Sequence, residues 1–249
     1  MVIVASPRFT HPDQIILMPL TNDILISEAQ ANTVDFDTAC HLSVISTGIL
    51  FMEEVFTAMD KYKMNAADAV FLLIDFQSNL AVAMKKDVYS NCENNVNLII
   101  ASCEMLKVPV IVTEQYSRGL GNTVDPIRSS LKDHYKPIDK LSFSCWGDQT
   151  FQDTFKKLKR KYIIVAGIES HVCVLQSVID LVAQGYYVHV ISDAVCSRYK
   201  TDWKKALKLM RDAGAVITTT EIAVFQLLQR AGIPEFKVIS PLFKNKETN

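Results

Sequence analysis

The chain has 249 residues, 26 of them basic and 27 acidic, for a net charge of −1. That length holds one α/β domain with an appendage. The charge balance carries no polyanion-binding signature, so neither nucleic acid nor an anionic membrane is indicated as a partner.

Residues 1–65 differ in texture from the rest. Ile45, Ile49, Met52, Phe56 and Met59 recur at steps of 4, 3, 4 and 3, the apolar face of an amphipathic helix. The pattern predicts a helix packed on the main domain or on a second subunit, with no chemistry of its own. Taken with the 49% of apolar residues, it favours a homo-oligomer, dimer or tetramer, over a monomer. His11 and His41 stand without ligand partners. Met1 to Ala5 is too short for a secretory signal, and His41 to Met52 falls far short of the ~20 residues that span a bilayer. Asp13, Asp23 and Glu28 argue against a mitochondrial transit peptide, so the expected compartment is the cytoplasm and no membrane partner is expected.

From about Ala66, apolar strands alternate with helical patterns. The predicted order begins with a strand over Ala69 to Ile74 and a helix over Val88 to Lys107. Strands follow at Val108 to Thr113 and Tyr162 to Ile168, then a helix beyond Cys173 that Gly185 ends as a C-cap. A strand over Tyr187 to Ile191 closes at Ser192-Asp193. A helix over Thr201 to Ala213, a strand over Ala215 to Thr220, a helix over Glu221 to Gln229 and a polar tail complete the chain. Strands apolar on both faces and alternating with helices predict a mostly parallel sheet covered on both sides, with ligands at the carboxyl ends of the strands.

Asp75 closes the first of these strands, where a carboxylate needs a partner; capping of the next helix is its alternative role. Gly119 and Gly121 form a G-x-G without a third glycine, which reads as a plain loop. Lys140 is flanked by Ile138, Leu141, Phe143 and Trp146, so its ammonium is expected against apolar surroundings and in need of an anion. Of the six cysteines, none forms C-x-x-C and no histidine pair has zinc-ligand spacing, which predicts reduced thiols. Cys40, Cys92, Cys103 and Cys196 read as small buried hydrophobes. Cys173 differs: it follows an apolar strand at the start of a helix, where unpaired N–H groups and the helix dipole favour a thiolate and can hold an oxyanion. His171, two residues earlier, is expected to be structural or pocket-lining rather than the base of a Cys–His dyad.

Three blocks together resemble the isochorismatase-like hydrolase superfamily, which includes nicotinamidases and N-carbamoylsarcosine amidohydrolase. They are Leu73-Ile74-Asp75-Phe76-Gln77, Lys140 with Phe143-Ser144, and Gly167-Ile168-Glu169-Ser170-His171-Val172-Cys173-Val174. Thr113-Glu114-Gln115-Tyr116 with Gly119-Leu120-Gly121, and Ser192-Asp193-Ala194 with Ser197-Arg198, are similar to the eukaryotic isochorismatase domain-containing branch. The resemblance implies a three-layer α/β/α domain (isochorismatase-like, Rossmann-like) over residues 66–241, between an N-terminal extension, 1–65, and a tail, 242–249. It implies an Asp–Lys–Cys triad of Asp75, Lys140 and Cys173, with Lys140 between the other two and the sulfur ionised. It also implies a non-proline cis peptide at Ile168–Glu169 that aims the N–H groups of Val172 and Cys173 at a substrate oxygen. By position, Phe76, Gln115, Tyr116, Phe143 and Glu169 are expected to line the pocket.

Nicotinamidases carry a metal site that begins with an Asp-x-His pair after the second core strand. This chain has Glu114-Gln115-Tyr116 there, so no metal and no other cofactor is expected. Enzymes that cleave isochorismate itself typically lack the cysteine, which speaks against that reaction. The implied activity is hydrolysis of a small-molecule amide or related C–N bond through an acyl-thioenzyme. Two readings stay open beside it: a different bond (ester, imide or enol ether), and a catalytically idle or regulatory interaction protein.

Overall fold

Six apolar residues, Ala69–Ile74, form strand β1, and all six are buried. In the computed structural model, which describes residues 59–244, β1 lies inside a six-stranded parallel sheet of order β3-β2-β1-β4-β5-β6. The other strands are β2 (Val110–Gln115), β3 (Ile138–Lys140), β4 (Tyr162–Ile168), β5 (Tyr187–Cys196) and β6 (Val216–Thr218). Between them run α1 (Ser78–Ala81), α2 (Lys86–Leu106), α3 (Ser117–Leu120), α4 (Asp125–Leu131), α5 (Gln149–Leu158), α6 (Leu175–Ala183) and α7 (Lys200–Asp212). After β6 come α8 (Thr220–Leu228) and α9 (Pro234–Lys244).

The alternation along β1 shows the three layers. Ala69, Phe71 and Leu73 pack with Val96, Ile99 and Ile100 of α2, while Val70, Leu72 and Ile74 pack with Phe151 and Phe155 of α5 and Val178 and Leu181 of α6. A strand covered on both faces needs apolar residues at every position, which is why β1 and β4 read as continuous runs. The chain builds β1, β2 and β3 in one direction and then returns to place β4 beside β1. That reversal of strand order opens a crevice at the carboxyl ends of β1 and β4, the usual ligand position in such sheets. Asp75 follows β1 and Cys173 follows β4, so the two meet at the reversal.

Several boundaries differ from the sequence expectation. β2 starts at Val110 and runs to Gln115, because Pro109 has no N–H to give and serves through its carbonyl, which accepts from Phe71 N–H at 2.9 Å. The polar pair Glu114 and Gln115 stays in the strand because side chains satisfy it. Glu114 accepts from Thr123 N–H, Thr123 Oγ1, Asn122 Nδ2 and Tyr135 Oη at 2.5–3.1 Å. β5 does not end at Ser192-Asp193 but continues to Cys196 after a shift of register against β4. Asp193 lies in that shift, and its carboxylate caps α8 by accepting from Thr220 N–H at 2.8 Å.

Residues 242–244 are not part of a polar tail: α9 carries them, and Phe243 is buried with Val224, Leu228 and Ile239. At the other end, residues 59–65 pack on the core. Met64 is buried, Tyr162 Oη donates to Asp60 O, and Gln226 Nε2 donates to Tyr62 O. The predicted helical face at Ile45 to Phe56 lies outside the described residues. Among the described residues, no helix is long and apolar enough to cross a membrane.

His189 ties this segment to the sheet and gives it a pH dependence. Its Nε2 lies 2.8 Å from Lys61 O, which can only accept, so the ring carries its proton on Nε2 and leaves buried Nδ1 without a partner. Burial pushes the imidazole down to about 4 from 6.5. The unfolded chain therefore binds the extra proton more readily than the folded one. Stability from this group is full above pH 6.5, falls as the pH drops toward 4 and levels off below. The expected loss across that window is about 3 kcal/mol. It is read as the difference between the urea midpoints of the wild type and His189→Gln at pH 7 and pH 4, since glutamine keeps the donor and cannot charge.

Candidate active site

Asp75 sits one residue past β1 with φ of 49° and none of its surface exposed. Its N–H donates to Thr113 O, which turns the carboxylate inward across the end of β2. Oδ2 accepts from Lys140 Nζ at 2.7 Å, and Oδ1 accepts from Thr113 Oγ1 at 2.7 Å. Lys140, the last residue of β3, gives its amine four acceptors: Asp75 Oδ2, Gln115 Oε1 at 2.8 Å, and the carbonyls of Ser142 and Phe143 at 3.1 Å. An ammonium has three protons, so all of them are committed. Burial is the largest single influence on Lys140 and pushes it down, but the Asp75 carboxylate, with smaller contributions from Cys145 and Cys173, holds the amine above its ordinary value. The pair is therefore ionic and has no access to solvent.

Cys173 lies in a single wide turn, Ser170–Val174, that precedes α6. Its residue surface is 5% exposed, and its thiol lies within the electrostatic influence of the Asp75 carboxylate and the Lys140 ammonium. The peptide between Ile168 and Glu169 is cis. The structure brings Asp75, Lys140 and Cys173 into one buried cluster, in which the four contacts of the Lys140 amine all go to oxygens.

The electrostatics of the site run against the expectation of a resting thiolate. Burial pushes the Cys173 thiol well up, the adjacent Asp75 carboxylate adds to this, and Lys140 offsets only part. The wide turn further changes the expected oxyanion donors. Val172 N–H donates to Glu169 O at 3.1 Å and is already used.

The loop that holds the ammonium is pinned from α6. Ser144 Oγ donates to Asp180 Oδ2 at 2.5 Å, and Cys145 N–H donates to Ser177 Oγ at 2.8 Å. Gln77, two residues after Asp75, acts as a substitute strand: its Oε1 accepts from Gln115 N–H, and its Nε2 donates to the carbonyls of Gln115 and Gly121. Gln115 is thereby fixed, and its Oε1 reaches Lys140. Sequence reasoning gave no role to Gln77, Thr113, Ser144 or Asp180. Only the recurrence of Gln77 within the Asp75 block hinted at one.

The expected pocket residues divide. Gln115 holds the amine rather than open space. Phe76 is fully buried in the α2 layer with its ring 5.4 Å from that of Tyr89, so it is core and lines no open pocket. Tyr116 and Phe143 are 52% and 53% exposed. Glu169 Oε2 accepts from both N–H and Nε of Arg198 at 3.1 Å, and His171 Nδ1 is 3.0 Å from Ser197 Oγ. These two contacts clamp the Cys173 turn to the segment after β5. A cleft of about 390 Å³ opens beside the clamp, lined by Cys92, Asp193, Ser197, Arg198, Lys200 and Trp203 among others; Asp75, Lys140 and Cys173 do not line it. Among the described residues no group of three or more His, Cys, Asp or Glu side chains is placed to hold a metal ion.

Comparison with known proteins agrees with this architecture. A secreted isochorismatase effector, Isc1, of Phytophthora sojae is 44% identical over 154 residues, 61% of this chain and 73% of that protein. Isochorismatase family protein 1B of Dictyostelium discoideum is 37% identical over 181 residues, 72% of this chain and 87% of its own length. A Caenorhabditis elegans structure described as the MAR1 ribonuclease superposes with a TM-score of 0.69 at 36% identity, covering 75% of this chain and 95% of that one. The isochorismatase domain model matches residues 69–222, which runs from β1 into α8 and spans all six strands. With that match over the sheet that carries Asp75, Lys140 and Cys173, the chain belongs to the isochorismatase family.

Proposed function

We propose that this protein is a cysteine hydrolase of small-molecule amides or related C–N bonds, working through a covalent acyl-thioenzyme. The observation that supports the reading best is the sealed Asp75–Lys140 ion pair, with the buried Cys173 thiol electrostatically coupled to both of its members. A buried carboxylate kept charged by an ammonium is a base that water does not level.

In this reading the thiol proton passes to Asp75 as sulfur bonds to the substrate carbonyl carbon. The Cys173 N–H is the donor proposed for the resulting oxyanion, since Val172 N–H is occupied. Asp75 returns the proton to the departing amine, then takes one from water as that water attacks the thioester, releasing the acid and the free thiol. Lys140 stays cationic throughout and offsets the carboxylate whenever it is charged.

The test is a panel of primary amides, N-carbamoyl compounds, esters and imides, with mass spectrometry of the quenched protein. The expected result is an acyl mass on the Cys173 peptide with at least one amide, and a loss of turnover of more than about 10³-fold in Cys173→Ala. Adducts from esters or imides alone would move the assignment to a different bond. No adduct and no turnover from any compound would favour the idle or regulatory reading. An RNA oligonucleotide belongs in the panel because the C. elegans neighbour is described as a ribonuclease. Cleavage of it that depends on Cys173 would sink the acyl-transfer reading.

A further inference from the structure

The Asp75 carboxylate must exist both charged and protonated if it is to take a proton and give it back. Its two oxygens are not equivalent in this respect. Oδ2 is held at 2.7 Å by the Lys140 ammonium, whose positive charge disfavours a proton on that oxygen, so Oδ1 is the favoured seat for a proton arriving on the carboxylate. Oδ1 faces the hydroxyl of Thr113 at 2.7 Å. A carboxylate can only accept, so in the resting site the one hydroxyl proton of Thr113 points at Asp75. Thr113 Oγ1 also lies 3.8 Å from Cys145 Sγ. With its own proton given away, Thr113 can only accept there, which makes Cys145 the donor and a neutral thiol. The resting chain of donors therefore runs from Cys145 through Thr113 to Asp75. All three residues are fully buried, so no water substitutes for any of them.

We propose that Thr113 is a positioning residue that reverses its hydroxyl as Asp75 changes protonation state, with Cys145 as the alternate partner. As the Cys173 S–H bond breaks and an O–H bond forms on Oδ1, the Thr113 hydroxyl turns its proton from Oδ1 to Cys145 Sγ and accepts from the new carboxylic acid. The Cys145 thiol proton then turns away from Thr113, with Ser177 Oγ, which accepts from Cys145 N–H at 2.8 Å, as its proposed acceptor. Return of the proton from Asp75 reverses each rotation. No proton leaves the chain, and Oδ1 has a hydrogen-bond partner in both states. Burial pushes the Cys145 thiol up to about 11, with Lys140 opposing, so it remains a neutral member of the relay at physiological pH.

This inference rests on the Asp75–Cys173 reading of the site, but its test needs no substrate. The measurement is the rate at which iodoacetamide labels the Cys173 peptide, followed by mass spectrometry from pH 5 to 9. Thr113→Val is expected to slow labelling at pH 7 by about 10–100-fold, the scale of a lost hydrogen bond to a charged group. Thr113→Ser should stay within about 3-fold of the wild type. Cys145→Ala should slow labelling by about 2–10-fold, and Cys145→Ser should recover it. The decisive result is that Cys145→Ala has no further effect in the Thr113→Val background, because it acts only through that hydroxyl.

An unchanged rate in Thr113→Val, or additive effects of the two variants, overturns the relay. Should Thr113→Val fail to fold, the pair Cys145→Ala and Cys145→Ser decides alone, and equal rates for both overturn it. Asp75→Asn separates the two levels. If it leaves Cys173 labelling unchanged, the reading of Asp75 as base fails; if it slows labelling while Thr113→Val does not, only the relay fails.

Discussion

Replacement of Lys140 by methionine is expected to destabilise the protein by about 3–5 kcal/mol, the usual cost of removing one partner from a buried ion pair. The residue it faces, Asp75, has no exposed surface, and no water can take over from the ammonium. The substitution also strips the hydrogen bonds of Gln115 Oε1 and of the Ser142 and Phe143 carbonyls. The double variant Asp75→Asn with Lys140→Met removes both charges. It should recover part of the loss but not all, because those acceptors stay unpaired. Urea midpoints at pH 7 measure both. A loss below about 1 kcal/mol in the single variant, or a double variant less stable than the single one, would show that the pair is not the sealed ionic contact described.

Gly167→Ala should be comparably damaging for a different reason. Gly167 pairs with Ile74 across β4 and β1 and has φ of 142°. A Cβ there would lie 2.1 Å from Ile74 O and 2.8 Å from its carbonyl carbon, both backbone atoms of the central strand. Neither can step aside without moving the residue that precedes Asp75. Relief of the clash costs about 1–3 kcal/mol and the forced backbone conformation about 1–3 more, for roughly 2–6 in all. The predicted signature is a loss of stability together with slowed iodoacetamide labelling of Cys173, since β1 carries Asp75 and β4 leads into the cysteine turn. A fully stable Gly167→Ala variant would contradict the strand spacing at the reversal point.

The extent to which the site was legible depended on the kind of signal each residue leaves. Continuous apolar runs at Ala69 to Ile74 and Tyr162 to Ile168 announce strands covered on both faces, and the structure places them side by side at the centre. Gly185 and Gly214 announce helix ends and occupy them with φ of 84° and 109°. Elements whose signal is local and polar were missed. β3 is three residues long, and α5 begins just after Asp148, whose side chain caps it by accepting from Phe151 N–H. Gln115 was expected as pocket lining because its neighbours in sequence are polar, yet its amide is consumed between Leu141 O and Lys140 Nζ.

The sequence by itself determined the central strands and the long helices that alternate with them, pointed to the three separated residues Asp75, Lys140 and Cys173, and carried the family to which their blocks belong. Residue types and their spacing carry that information, because burial on one or two faces is a periodic demand on the chain. The tertiary structure alone decided which group touches which. It saturated the Lys140 ammonium with four acceptors, set the Asp75 carboxylate between Lys140 and the Thr113 hydroxyl, surrounded the Cys173 thiol with burial that opposes its ionisation and spent the Val172 N–H on Glu169. Such outcomes depend on desolvation and on distances of a few ångströms between segments up to a hundred residues apart. Neither quantity is written in the local order of side chains.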